Sequence, residues 1–183
     1  MSTTATLTQT QIYTIDPAHS TIRFWVRHLM IAKVHGELPV VTGTITADVS
    51  QPQTAQVEVS IDTTALTTGN EQRDAHLKSP DFLDVENFPA ILFKSKSVQG
   101  ATEEMEIIGD LTIKGVTREI TLKAEATPEV PSPFGGYKVG VSATALVNRE
   151  DFGITWNMVL ETGGVAVAKD IHIQIDLELD RPA

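Results

Sequence analysis

The sequence IHIQIDLELD, residues 171–180, alternates between apolar and polar side chains without a break. Successive side chains of a β-strand point to opposite faces of the sheet. The alternation therefore places the isoleucines and leucines on one face and the polar residues on the other. This pattern is typical of a strand with one buried face and one solvent-exposed face, and it predicts a long half-buried strand near the end of the chain.

The same period-two alternation recurs through most of the chain and predicts about eight strands. A Lys114-Gly115 pair separates two of the alternating runs, which is typical of a tight β-hairpin. The apolar side chains of each run are expected to face inward. These predicted inward rows are Ile22, Phe24 and Val26; Ile45, Ala47 and Val49; Val57, Val59 and Ile61; Ile91 and Phe93; Met105, Ile107, Leu111 and Ile113; Ile120, Leu122, Ala124 and Ala126; Val139, Val141, Ala143 and Ala145; and Ile171, Ile173, Ile175, Leu177 and Leu179.

Two segments depart from the strand pattern. Residues 70–78, NEQRDAHLK, lack β-branched side chains, and Asn70 is placed to cap a short helix. The loop at residues 127–137, TPEVPSPFGGY, contains three prolines and two glycines and cannot form a central strand. The chain is therefore predicted to be all-β with one short helical segment.

Strands with one apolar face must bury it, either by stacking two sheets or by closing one sheet into a barrel. Aromatic residues make up only 5% of the chain, and the inward rows consist mainly of Val, Ala and Ile. An eight-stranded barrel has an interior that side chains either fill or leave open for one small ligand. Inward side chains of this small to medium size favour the open barrel, and a barrel whose interior is close-packed with side chains is the alternative. We expect a single domain over residues 11–183, preceded by a flexible polar tail over residues 1–10.

Composition excludes several function classes. The formal net charge of −10 repels nucleic-acid phosphates and the anionic surfaces of membranes, so nucleic-acid binding and peripheral membrane binding are disfavoured. The chain has no cysteine, so disulfides and thiolate metal sites are excluded. No apolar run reaches the length of about 18 residues that a membrane helix needs. Without a recognisable signal peptide, the chain as written is expected in the cytoplasm and not as an integral membrane protein.

An ordered set of motifs covers nearly the whole chain and resembles the YceI family, the lipocalin-like polyisoprenoid-binding proteins of bacteria. The motifs are IDP at 15–17, HS at 19–20, Phe24, Val26, HL at 28–29, Gly36, Gly43, Ile45, Asp48, TGN at 68–70, RDAHL at 73–77, DF at 81–82, FP at 88–89, FKS at 93–95, GDLTIKGVT at 109–117 and NREDFGI at 148–154. The resemblance implies an eight-stranded antiparallel lipocalin-like barrel with a short helix beside it. It also implies a lumen for an isoprenoid lipid, such as a polyprenyl quinone or polyprenyl phosphate. Many members of the family are periplasmic or secreted, which is the alternative location.

The inward rows and the resemblance together predict the residues that line the ligand. The predicted lumen residues are Phe24, Val26, Val57, Val59, Phe93, Leu111, Ile113, Val141, Ala143, Ile173 and Ile175. Four further side chains are candidates for a polar head group, namely His28, Arg73, His76 and Arg149. Structural roles compete with this assignment, because Arg73 and His76 together with Asp74 could tie the helix to the barrel, and Arg149 could form a salt bridge.

No residue pattern in the sequence predicts catalysis, a metal or a cofactor. The histidines lack the dense spacing of a metal motif, and no nucleophile stands beside an ordered base. We therefore predict a non-enzymatic carrier or store of a long isoprenoid lipid, the bound lipid being a ligand. Two alternatives stay open: an enzyme that modifies the lipid head group, and a stress-related interaction protein that uses the barrel as a scaffold. A homodimer is also compatible with the sequence.

Overall fold

In a computed structural model of the protein, the residues described are 10–39, 41–48, 51–159 and 164–183. They form strands β1 (Gln11–Ile15), β2 (Thr21–His28), β3 (Ala32–Leu38), β4 (Val41–Asp48), β5 (Gln51–Asp62), β6 (Ala90–Ala101), β7 (Glu104–Ile113), β8 (Val116–Ala126), β9 (Val130–Pro131), β10 (Tyr137–Asn148) and β11 (Asp170–Arg181). One α-helix, α1 (Glu71–Lys78), follows β5, and a 3₁₀ turn (Arg149–Phe152) follows β10.

The sheet closes on itself. Around the barrel the order is β11, β1, β4, β5, β6, β7, β8 and β10, and β10 pairs again with β11 along its whole length. Every one of these pairings is antiparallel. The prediction of an eight-stranded antiparallel barrel with one short helix is confirmed. No helix among the described residues is long and apolar enough to span a membrane.

Three strands were not predicted from the sequence: β1, β3 and the two-residue β9. Strands β1 and β2 share one position in the barrel, because β11 pairs with β1 at Leu179 and Asp180 and with β2 between His172 and Asp176. The hairpin of β2 and β3 then extends the barrel at one end. The sequence of β3 shows no clear alternation, because one of its inward positions is Gly36, which has no side chain. A Cβ at this position would lie 2.3 Å from the ring of Phe24. The Phe24 ring thus takes the place of an inward side chain at Gly36.

The helix and the β7–β8 hairpin form as predicted. Asn70 caps α1, and its side-chain oxygen accepts a hydrogen bond from the backbone N–H of Arg73 at 2.9 Å. Lys114 and Gly115 have φ values of 49° and 73°, the left-handed conformations that a tight two-residue hairpin requires. Only the two-residue strand β9 interrupts the proline-rich loop at residues 127–137.

The predicted inward rows form one continuous core. Buried members come from nearly every barrel strand, among them Ile22, Ile107 and Leu179. Val49, which we predicted to face inward, and residues 1–9 of the predicted polar tail lie outside the described residues. The alternation therefore gave the inward face of the predicted barrel strands, except at the end of β4, where a register shift between Thr46 and Asp48 lets the buried Asp48 line the inner cavity.

Candidate ligand-binding lumen

The barrel encloses two neighbouring cavities. The inner cavity, of about 200 Å³, is surrounded by strands. The outer cavity, of about 410 Å³, lies at the barrel end that carries the β2–β3 hairpin and α1. Four aliphatic side chains line both cavities, so the two lie next to each other along the barrel and together make up the candidate lumen; they are Leu38, Ile91, Ile113 and Ile173.

All eleven predicted lumen residues line this space. The two from β2 line the outer cavity, and Ile113 and Ile173 line both; the inner cavity is lined by Val57, Val59, Phe93, Leu111, Ile113, Val141, Ala143, Ile173 and Ile175. Their contact with a ligand remains a prediction. The two rings among them, Phe24 and Phe93, each lie against a glycine; at Gly109 a Cβ would stand 2.6 Å from the ring of Phe93. Aromatic rings placed against backbone in this way leave the centre of the barrel free.

A hydrogen-bonded cluster lies at the far end of the inner cavity. The hydroxyl of Tyr13, which lines that cavity, donates to Glu129 Oε2 at 2.8 Å. Arg181 holds the same carboxylate with two hydrogen bonds, at 3.0 Å and 2.7 Å. Burial and the Glu129 carboxylate raise the pKa of Tyr13 to about 12. The bidentate contact with Arg181 lowers the pKa of Glu129. These three groups satisfy each other, and the buried carboxylate of Asp48 also lines this cavity.

The four predicted head-group residues all line the outer cavity. Arg73 donates from Nε to Thr68 Oγ1 at 2.7 Å and from Nη2 to the Thr68 carbonyl at 3.0 Å. Its remaining three N–H donors have no hydrogen-bond partner among the residues described. Burial raises the pKa of the Asp74 carboxyl, but hydrogen bonds from Thr68 and Thr67 outweigh burial and hold this pKa below its usual value. Arg73 and Asp74 thus tie α1 to residues 67–68 and still leave guanidinium donors at the cavity.

His76 lies in a small aromatic cluster at the cavity wall. Its ring meets those of Phe82 and Trp156 edge-on, with centroids 5.0 Å and 4.6 Å away. Its Nε2 lies 3.0 Å from Asp81 Oδ2. The remaining predicted histidine, His28, stands at the end of β2, where it forms an isolated bridge with Val167. His76 is therefore held in one orientation by a carboxylate and two rings.

Within the described part of the chain, Arg149 does not form the salt bridge that we expected. Its side chain is 4% exposed, and its guanidinium donates four hydrogen bonds to the backbone carbonyls of Ile154, Trp156, Val167 and Ala168. Burial lowers the pKa of this guanidinium. The nearby ion pair is made instead by Lys169 and Glu150, at 2.7 Å. Carbonyl oxygens satisfy Arg149 because the loop between the 3₁₀ turn and β11 folds over it and directs carbonyls of residues 154, 156, 167 and 168 toward its guanidinium. Arg149 therefore holds the loop at the barrel mouth in place, and most of its N–H donors are already bonded to backbone carbonyls.

Sequence reasoning missed much of the wall of the outer cavity. Those residues lie in α1, turns and loops, where no period-two pattern marks an inward side chain; they are Leu66, Leu77, Phe82, Leu83, Ile154, Trp156, Met158 and Ala166. The one available signal was apolar content in segments that otherwise read as loops. Such content shows that a residue is buried, and it does not show which space the side chain borders.

One group of metal-ligand side chains lies on the outside of the barrel. Single ligand atoms of Asp16, His19 and Glu178 lie within 4.8 Å of one another. The ammonium of Lys138 lies 3.1 Å from Asp16 and 2.6 Å from Glu178. Hydrogen bonds from His19 and Lys138 lower the pKa of Asp16, and the Asp16 carboxylate raises the pKa of His19. A lysine thus already neutralises the carboxylates, and ion pairing accounts for this group.

Curated relatives span nearly all of the chain. A UPF0312 protein of Staphylococcus aureus strain N315 is 39% identical over 167 residues, which are 91% of this chain and 95% of that protein. The corresponding protein of strain USA300 is 38% identical with the same coverage.

Solved structures share the fold. The Campylobacter jejuni YCEI protein is 27% identical, with a TM-score of 0.73 over 86% of this chain and 90% of that chain. Burkholderia cenocepacia BcnA is 18% identical, with a TM-score of 0.78 over 90% and 98%. A polyisoprenoid binding domain from Saccharophagus degradans is 14% identical, with a TM-score of 0.67 over 93% and 98%. The family described as YceI-like domain matches residues 13–179, and the chain belongs to that family.

Proposed function

We propose that this protein binds one long isoprenoid lipid inside its barrel and acts as a carrier or store without catalysing a reaction. The observation that carries the proposal is the pair of adjacent apolar cavities, about 200 Å³ and about 410 Å³, along the barrel. A linear apolar chain fits a space of that shape, because it can lie along the axis and contact aliphatic side chains on every side.

The two cavities differ in polarity, and the difference suggests how the lipid lies. The inner cavity is lined almost entirely by aliphatic and aromatic side chains. The outer cavity adds the guanidinium of Arg73 and the imidazoles of His28 and His76. We place the tail in the inner cavity and the polar head near Arg73, whose free donors suit a phosphate or a quinone oxygen.

Tail burial dominates the energy of this complex. Burying a CH₂ group contributes about 0.8 kcal/mol, so each five-carbon isoprene unit contributes roughly 4 kcal/mol before the costs of ordering. A head-group hydrogen bond contributes about 0.5 to 1.5 kcal/mol. We therefore expect selectivity for tail length to be strong and selectivity for the head group to be weaker. The Saccharophagus degradans domain, described as polyisoprenoid binding, supports this ligand class by analogy.

Native mass spectrometry of the protein purified from its own host tests the proposal. We expect a bound mass that organic extraction releases as an isoprenoid lipid. The matched variants Val141→Glu and Thr144→Glu lie on the same strand, with Val141 at the inner cavity and Thr144 exposed on the outer face. Val141→Glu should lose the lipid and Thr144→Glu should keep it. A folded wild-type protein that never carries lipid would contradict the proposal.

One observation favours an alternative function, namely an enzyme that acts on the lipid head group. The contact between His76 and Asp81, at 3.0 Å, resembles a base held by a carboxylate. Incubation with polyprenyl phosphates and quinones, followed by product analysis, separates the two functions. The carrier proposal expects the lipid to be recovered unchanged. Turnover that disappears in His76→Ala would favour the enzyme.

A further inference from the structure

The rim of the outer cavity carries a concentrated set of exposed apolar side chains. At the β2–β3 turn, Leu29, Met30 and Ile31 are 38%, 58% and 80% exposed. Beyond the 3₁₀ turn, Met158 and Val159 are 57% and 82% exposed. These five residues, here called the mouth patch, are half of the ten large hydrophobic side chains that are exposed in the described part of the chain.

Backbone hydrogen bonds join the two parts of the mouth patch into one surface. The N–H of Leu29 donates to the carbonyl of Ala166 at 2.8 Å, and the N–H of Ala166 donates to the carbonyl of Met158 at 3.0 Å. The bridge between His28 and Val167 continues this pairing. Leu29 and Met158 also line the outer cavity. The mouth patch therefore borders the space in which we place the lipid head.

The turn itself uses unfavourable residues. Leu29 and Met30 have φ values of 52° and 59°, a left-handed conformation in which Asn and Gly are preferred and bulky side chains are strained. The N–H of Ile31 closes the turn by donating to the carbonyl of His28 at 3.0 Å. Burial compensates this strain only in part, since Leu29 lies against the outer cavity while Met30 and Ile31 are mostly exposed. Backbone strain that a fold retains clusters at binding sites, which makes this turn a candidate contact site.

Two cations lie beside the turn of a protein whose formal net charge is −10. Residues 21–36 contain Arg23, Arg27 and Lys33 and no Asp or Glu, and Arg23 is paired with Glu37 and Asp176, which leaves Arg27 and Lys33. Arg27 donates to the carbonyl of Ile31 at 3.5 Å, and the Lys33 ammonium lies 4.0 Å from the centre of the Trp25 ring. Neither has an acidic partner within the described ranges. Both cations are therefore available to an anionic surface beside the mouth patch.

We propose that the mouth patch, flanked by Arg27 and Lys33, docks the barrel mouth on an anionic lipid bilayer. The apolar tips enter the interface while the cations meet anionic head groups. Net charge disfavours membrane binding only as an average, because salt screens exposed charges beyond about 8 to 10 Å. Docking would open the outer cavity directly onto the bilayer. That purpose rests on the proposed lipid-binding function, whereas the docking itself does not.

Flotation with vesicles tests the docking. We expect wild-type protein to float with phosphatidylglycerol–phosphatidylcholine vesicles. The double variant Leu29→Asn/Met30→Gly places favoured residues in the same turn, so the fold is retained while binding weakens by at least about tenfold. The matched control is Phe134→Asn. Phe134 is 95% exposed in the loop before β10, at the opposite end of the barrel, and its loss should leave binding unchanged.

The charges have their own test. Each cation near an anionic leaflet strengthens binding about fivefold, so Arg27→Gln/Lys33→Gln should weaken binding to these vesicles by about 25-fold. With pure phosphatidylcholine vesicles, the same variant should differ little from wild type. Equal binding of wild type and the charge variant to the anionic vesicles would overturn the role of the cations.

Two further outcomes would overturn the docking itself: no wild-type flotation, or full flotation of the turn variant. Where wild-type protein does not float, sedimentation velocity shows whether the turn serves self-association instead. Native mass spectrometry separates the two proposals. Lipid in the barrel without flotation leaves the carrier standing and removes the docking. Flotation that depends on the turn, by a protein that never carries lipid in its barrel, supports the docking and removes the carrier.

Discussion

The substitution Ala143→Leu asks directly whether the barrel centre is open. Ala143 is 6% exposed, lines the inner cavity and lies between Ala124 and Ile175 on the neighbouring strands. Leucine adds about three methylene-sized groups, which contribute at most about 2.4 kcal/mol if they fill empty space. If the site were close-packed, overpacking would cost about 1 to 3 kcal/mol instead. The two cases thus differ in sign, and we expect the free energy of unfolding to rise.

Urea unfolding of protein refolded without lipid measures this change, with Thr144→Leu as the control. Thr144 is the next residue on the same strand and is exposed, so its substitution should alter stability by no more than about 0.5 kcal/mol. The larger side chain at 143 should also displace part of the tail and weaken binding of the longest lipids by about 50-fold. Destabilisation of Ala143→Leu with unchanged lipid binding would refute the open lumen.

Three other substitutions test separate parts of the structure. Val141→Glu should cost several kcal/mol by urea unfolding, because it buries a carboxylate in the inner cavity without a partner; a folded variant of wild-type stability would place Val141 elsewhere. Glu129→Gln should destabilise the protein by about 1 to 3 kcal/mol at neutral pH by leaving Arg181 unpaired. The pKa of Glu129 is lowered in the folded state, so its stabilising contribution is present above the ordinary pKa of 4.5 and is lost as the pH falls. The thermal unfolding midpoints of wild type and variant should therefore converge in acid. A difference that stays constant with pH would show that the charge of this carboxylate does not stabilise the fold. Gly36→Ala should cost about 1 to 3 kcal/mol in urea unfolding, since a Cβ would lie 2.3 Å from the Phe24 ring, and an unchanged midpoint would argue against that contact.

Seven of the eight barrel strands were predictable because each buries one face along its length, whereas β1, the shortest of the eight with five residues, was not predicted. In β11 the isoleucines at 171, 173 and 175 all face inward, as the alternation requires. The strand β3 was not predictable, because its inward row contains Gly36, whose place is taken by a ring from β2. No local pattern reveals a space that a neighbouring strand fills.

The candidate site likewise contains some residues that the sequence predicted and others that it did not. Lumen residues on regular strands followed from the alternation, and the cap at Asn70 followed from its side chain and its position before a helical run. The contacts of Arg149 with four carbonyls did not follow, since those carbonyls belong to a loop folded over it. Periodicity assigns each strand residue to a face, because that depends on its immediate neighbours alone. Closure of the barrel, the size of its interior and the polar groups at its mouth depend on segments far apart in the chain, and only their packing brings these together.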